Sequence, residues 1–152
     1  MPEIWHSQVW FPFLVAGAVM AAAWVGERAE LPAIRARTRR DAVAGAALVL
    51  ALYALTALLR GEPATVSVVL TGAIALAIWS WWDPSPGAFA VAAGAAVAGP
   101  AVEIVVVALD GASYADDGLF GVAPWLPCLY FAAGAVAAGL WAAIARDGAS
   151  DG

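Results

Sequence analysis

Five apolar stretches, at 8–25, 41–59, 64–82, 87–109 and 125–145, constrain this chain more than any other feature. Each is about 18–23 residues long, and a bilayer core of about 30 Å takes roughly 20 helical residues at 1.5 Å each. Backbone immersed in hydrocarbon must satisfy its own polar groups, so helices are the expected form. The spacing predicts an all-α membrane bundle of about five transmembrane helices, one domain over 1–146, with a short polar tail at 147–152. Pro12 falls within the opening turns of the first span. Composition agrees: 64% of residues are hydrophobic and 12% charged, and the mean hydropathy is +0.84. A soluble domain usually carries about a quarter of its residues as charges.

Orientation follows from the basic residues, all seven of which are Arg. Arg28, Arg35, Arg37, Arg39 and Arg40 lie between the first and second spans, and Arg146 follows the fifth. With five spans these positions share one side, and only Arg60 falls opposite. The N-terminus is therefore expected outside and the C-terminus in the cytoplasm. Glu3, Glu62, Asp110, Asp116 and Asp117 map to the outer side. Trp5, Trp10, Trp24, Trp79, Trp81, Trp82, Trp125 and Trp141 fall near span ends, where aromatic rings favour the headgroup zone. A cleaved signal peptide is not expected, because 1–8 holds Glu3 and no basic residue, and the Arg cluster follows the apolar run. The absence of Lys and the abundance of Ala suggest a GC-rich, prokaryotic genome and hence a prokaryotic plasma membrane.

The same inventory excludes several functions. A net charge of −5 has the wrong sign for gripping nucleic acid. Cys128 is the single cysteine and His6 the single histidine, so neither a disulfide within the chain nor a metal site is expected, and no cofactor is implied. Ser7, Ser67, Ser80 and Ser113 have no base assembled beside them in the sequence, so none is a candidate nucleophile. The basic loop 27–40 reads as topogenic and headgroup-facing, or as a docking surface. The acidic loop at 110–118 reads as a hydrated turn, with a cation held by the tandem Asp116-Asp117 as the less favoured alternative. Gly45, Gly72, Gly94, Gly99, Gly134 and Gly139 lie within spans and permit close helix packing without saying which faces meet.

One ionisable residue stands inside a span. Glu103 lies in the fourth stretch, about six residues or roughly 9 Å from its outer end. Pro100 precedes it by one turn in Gly99-Pro100-Ala101-Val102-Glu103, removes a backbone donor and frees the carbonyl near Ala96. Intramembrane carboxyls are costly and are functional candidates by default. Glu103 either hydrogen-bonds a hydroxyl-bearing ligand within the bundle or serves as a purely structural, hydrogen-bonded carboxyl.

Asp83 ends the third span in Trp81-Trp82-Asp83-Pro84-Ser85-Pro86-Gly87, where it can satisfy turn amides or cap the next helix. The fifth span opens with Pro124-Trp125-Leu126-Pro127-Cys128-Leu129-Tyr130, and its prolines suit a first helical turn. Cys128 there reads as a buried apolar filler.

Three of these segments together resemble the Insig family, the insulin-induced-gene membrane proteins. Trp125-Leu126-Pro127-Cys128-Leu129-Tyr130-Phe131-Ala132-Ala133-Gly134 is similar to the family's last-helix signature. Gly99-Pro100-Ala101-Val102-Glu103-Ile104 is similar to a segment of plant and prokaryotic Insig-like proteins. Trp81-Trp82-Asp83 with Gly87 and Phe89 resembles its double-tryptophan turn, and Ser113-Tyr114 with Phe120-Gly121-Val122-Ala123 fits the loop before its last helix. The resemblance covers most of 79–146; over 5–78 it is one of hydropathy, with Trp10 and Pro12 matching the start of the family's second helix. Animal members have six helices with both termini cytosolic. Omitting the first of these leaves the orientation that the arginines indicate. The family's late Asn and Arg correspond here to Gly139 and Ala142, with Arg146 one turn further on.

The resemblance implies a bundle with a central cavity open to lipid. Animal members bind oxysterols and retain a sterol-sensing escort protein. Prokaryotic relatives resemble lipid-pocket proteins, with diacylglycerol a natural candidate. Asp83 would match the family's required cytosolic Asp. The expected ligand-binding set is Glu103, Pro100, Gly99, Trp125, Cys128 and Tyr130, with Asp83 and Trp82 as turn or partner residues. The expected function is non-catalytic binding of diacylglycerol or a sterol- or isoprenoid-like lipid, as a sensor or adaptor. A homo-oligomer or a membrane protein partner is compatible with it. Two alternatives stay open. One is an intramembrane enzyme with Glu103 as general acid or base, although Asp83 would stand about 25–30 Å away. The other is a structural subunit of a membrane complex.

Overall fold

The helix termini follow directly from local side chains. The computed structural model describes residues 38–109, 113–114 and 117–150, and the expected first span at 8–25 lies outside them. Four helices are described: α1 Arg39–Leu58, α2 Ala64–Trp82, α3 Pro86–Ala108 and α4 Leu126–Ser150. Thr38 and Asp41 form a reciprocal capping box that starts α1, with the Asp41 amide donating to Thr38 Oγ1 at 3.3 Å and the Thr38 amide to Asp41 at 3.0 Å. Gly61, at φ +90°, turns the chain towards α2, which begins directly after Pro63. Ser85 caps α3 by accepting from the Ala88 amide at 3.2 Å, and Pro86 takes the first helical position. α3 then runs through Pro100 without a break. In α4 the amides of Cys128 and Leu129 donate to the Trp125 carbonyl, so Pro127 removes no bond from the first turn.

Within the expected polar tail, residues 147–150 are helical and extend α4. A lone Gly148 costs only about 1 kcal/mol relative to Ala within a helix.

α4 is the hub of the bundle and packs on α1, α2 and α3, most extensively on α3. Its Leu126, Leu129, Tyr130, Ala132, Ala133, Ala135, Val136 and Ala138 are buried, on every side of the helix. Small residues set the α3–α4 spacing: a β-carbon on Gly134 would stand 2.8 Å from Ala95 Cβ and 3.0 Å from Ala92 Cα. On the other flank, Gly45 admits the Trp82 ring and Val136, and Leu52, Ala75, Ile78 and Leu129 complete that core. The outward faces stay apolar, with Val66, Val69, Leu70 and Leu76 exposed on α2 and Val97, Val102 and Val105 on α3. α2 and α3 are each long and apolar enough to cross a bilayer, and such faces suit contact with acyl chains. Among the described residues there is no strand, only an isolated bridge between Leu119 and Val122.

Candidate functional site

Glu103 is fully buried, and its two carboxyl oxygens have separate partners. Tyr130 of α4 donates its hydroxyl to Oε1 at 2.8 Å, and Tyr114, from the segment between α3 and α4, donates to Oε2 at 2.9 Å. The α3 sequence makes this possible. Gly99 stands one turn before Glu103, and without a β-carbon it lets the Tyr130 ring lie directly against the helix. A methyl group there would overlap the ring. Pro100 is buried beside it and deprives the Ala96 carbonyl of its helical donor. Ile104, Val107, Leu119, Val122, Leu126 and Trp125 pack with the two tyrosines in an apolar jacket.

The third tyrosine of the chain, Tyr53 of α1, packs instead against the core of Leu52, Ala75, Ile78 and Leu129. Burial above all, then the Glu103 charge and its hydrogen bond, hold the Tyr114 phenol well above its ordinary value. Tyr114 therefore remains a donor. The arrangement is a buried acceptor with phenolic donors converging on it, and each carboxylate oxygen keeps capacity for a further donor.

The structure brings only part of the expected set together. Glu103, Gly99, Pro100 and Tyr130 form one site, and Trp125 packs on its edge. Cys128 does not join it. At two residues from Tyr130 it points about 200° away around α4, and its thiol lies 4.0 Å from the Val68 carbonyl, against Gly72 of α2. Trp82 and Asp83 sit at the other end of α3 from Glu103. Trp82 is 1% exposed and fills the Gly45 notch. Asp83 is fully buried and accepts the Ser85 amide at 3.0 Å, which leaves the capping of α3 to Ser85. Tyr114 is the member that residue-level reading missed; its only signal was the resemblance of Ser113-Tyr114 to a family loop. Among the described residues, no cluster of His, Cys, Asp and Glu could hold a metal ion.

No family model matches the chain. It is 44% identical over 141 residues to the INSIG protein homolog of Mycolicibacterium vanbaalenii, covering 91% of this chain and 68% of that one. The crystal structure of a mycobacterial Insig homolog from Mycobacterium vanbaalenii superposes with a TM-score of 0.80 at 40% identity, over 96% of this chain and 78% of that one. A cross-linked trimer of that homolog superposes with a TM-score of 0.79 at 39% identity and the same coverage. With that identity over most of both chains, and with the same helical fold, this chain belongs to the Insig family of membrane proteins.

Proposed function

We propose that this chain is a non-catalytic, multi-pass protein of a prokaryotic plasma membrane that binds a lipid within its bundle. The ligand class is diacylglycerol or a sterol- or isoprenoid-like lipid bearing a hydroxyl group. The observation that carries the reading is the buried Glu103 with its two phenolic donors in an otherwise apolar bundle. Such a carboxyl is costly at membrane depth, and its spare lone pairs can accept a ligand hydroxyl without displacing either tyrosine. A role as sensor or adaptor, and assembly into a homo-oligomer, accord with Insig membership and with the trimer of the mycobacterial relative.

Lipid extraction and mass spectrometry of the protein purified in detergent test this. One neutral, hydroxyl-bearing lipid enriched over its share of the membrane is the expected result. Recovery of phospholipid in bulk proportions counts against it.

A second reading has its own support. Both Glu103 oxygens are already engaged, so the carboxyl could serve only to tie α3, α4 and the Tyr114 segment together in a scaffold subunit. Stoichiometric co-purification with a larger membrane protein, without an enriched lipid, would favour that role. Intramembrane catalysis finds less support. Asp83 is most of a helix length away, and Tyr114, held as a donor, offers Glu103 no second acid–base group near neutrality.

A further inference from the structure

The segment before α4 carries a feature that the Glu103 site does not use. Leu119 and Val122 exchange backbone hydrogen bonds of 3.0 Å across a two-residue turn. Its central residues, Phe120 and Gly121, have φ values of +52° and +90°. Turns of this hand favour Asn, Asp or Gly at both positions, because a β-carbon is crowded there. Gly121 fits and lies against Val107 of α3. Phe120 does not fit, and it is the one non-glycine with positive φ among the described residues. It is also 82% exposed, more than any other large apolar side chain described.

The rest of the turn faces inward. Val122 is fully buried, and Leu119 packs against the cluster that Val122 forms with Leu126 and Tyr130. The turn is thus fixed to α3 and α4 while its tip directs a single aromatic ring outward. It sits where α3 ends and α4 begins, with Gly121 against Val107 in the last turn of α3. In a chain that crosses the bilayer, that level is the headgroup zone, where aromatic side chains partition favourably. Backbone strain persists where surrounding structure or function holds it, and here the contacts within the protein hold Leu119, Gly121 and Val122 but not the Phe120 ring.

We propose that Phe120 is a membrane anchor. Its ring enters the phospholipid interface at this end of the bundle, and it holds the turn, with the neighbouring Tyr114, down over Glu103. The occupant is the lipid bilayer rather than a second copy of the chain. The inference rests on the chain's membrane location and is independent of whether a lipid fills the bundle.

Phe120→p-benzoylphenylalanine, reconstituted into vesicles of phosphatidylethanolamine and phosphatidylglycerol and irradiated, tests the contact by intact mass. A phospholipid adduct, clearly more abundant than with the same residue at the exposed position Asp117, is expected. Cross-linked dimers, or an adduct no more abundant than at Asp117, would overturn the proposal. A second measurement separates anchoring from turn preference. Phe120→Asn suits positive φ better and, on local preference alone, should slow amide exchange at Leu119 and Val122. Anchoring predicts faster exchange in Phe120→Asn vesicles and retention of slow exchange in Phe120→Trp. Unchanged or slower exchange in Phe120→Asn would also overturn it.

Discussion

The Tyr130 ring occupies the space that a side chain on Gly99 would need, and its hydroxyl reaches Glu103 one turn further along the same helix. Close approach and hydrogen bond are therefore one interaction. Gly99→Ala would push the ring away from α3 and stretch the 2.8 Å bond, adding overpacking of about 1–3 kcal/mol to the loss of that bond. The unfolding midpoint in detergent should fall clearly in Gly99→Ala. It should fall less in Tyr130→Phe, which keeps the ring and loses only the hydroxyl.

Substitutions of Glu103 separate its chemistry from its bulk. Glu103→Leu leaves the buried Tyr130 phenol without its acceptor, at about 1–3 kcal/mol, and the half-buried Tyr114 phenol at a smaller cost. Glu103→Gln keeps one carbonyl acceptor and a similar shape, so it should unfold nearer to the parent than Glu103→Leu does. If the site also receives a lipid hydroxyl, Glu103→Gln should alter the profile of co-purified lipids while the fold persists. Equal stability and equal lipid content in parent, Gln and Leu forms would remove Glu103 from both roles.

The sequence made the four described helices legible because lengths of apolar residues are a coarse signal tied to bilayer thickness. Glu103 was equally legible, as a charge where charges are costly. Its partners were not. Tyr114 lies eleven residues on, beyond the end of α3, and no periodicity links a loop residue to a helix face. Cys128 and Tyr130 looked like neighbours in one signature, yet helical geometry sends them to α2 and α3 respectively. Glycine roles were hidden as well. Gly94, Gly99 and Gly134 read alike in an Ala-rich chain, and only packing distinguishes the first, which has open space around it, from the other two.

That distinction is testable. Gly134→Val would drive side-chain atoms into the Ala92 and Val91 backbone, which cannot move aside without parting α3 from α4. Loss of monodisperse protein on size exclusion is expected. Gly94→Ala meets nothing within 4 Å and should gain about 0.5–1 kcal/mol, because glycine surrenders more backbone freedom in a helix. A raised unfolding midpoint is the corresponding readout.

The arginine distribution makes a prediction about sidedness. In a Cys128→Ala background, Thr38→Cys should lie in the cytoplasm and Asp117→Cys outside; both parent residues are exposed. A membrane-impermeant maleimide added to intact cells should label Asp117→Cys, and should reach Thr38→Cys only after permeabilisation. The opposite pattern would reverse the orientation.

Tyr114 ionises well above the ordinary tyrosine value of 10.0, because burial and the adjoining Glu103 carboxyl both oppose a phenolate. A raised value in the folded state means that the folded form keeps a proton the unfolded chain gives up. The resulting stabilisation is therefore fully present below about pH 10 and declines as pH rises above it, towards the folded value. Tyr114→Phe has no such proton and lacks the hydrogen bond, which is worth about 1–2 kcal/mol. The parent should thus unfold at a higher temperature than Tyr114→Phe near neutrality, and the gap should narrow progressively above pH 10. Unfolding midpoints collected on both proteins across that range decide the matter. A gap that is constant with pH would mean that Tyr114 ionises in the folded protein as readily as in the unfolded chain.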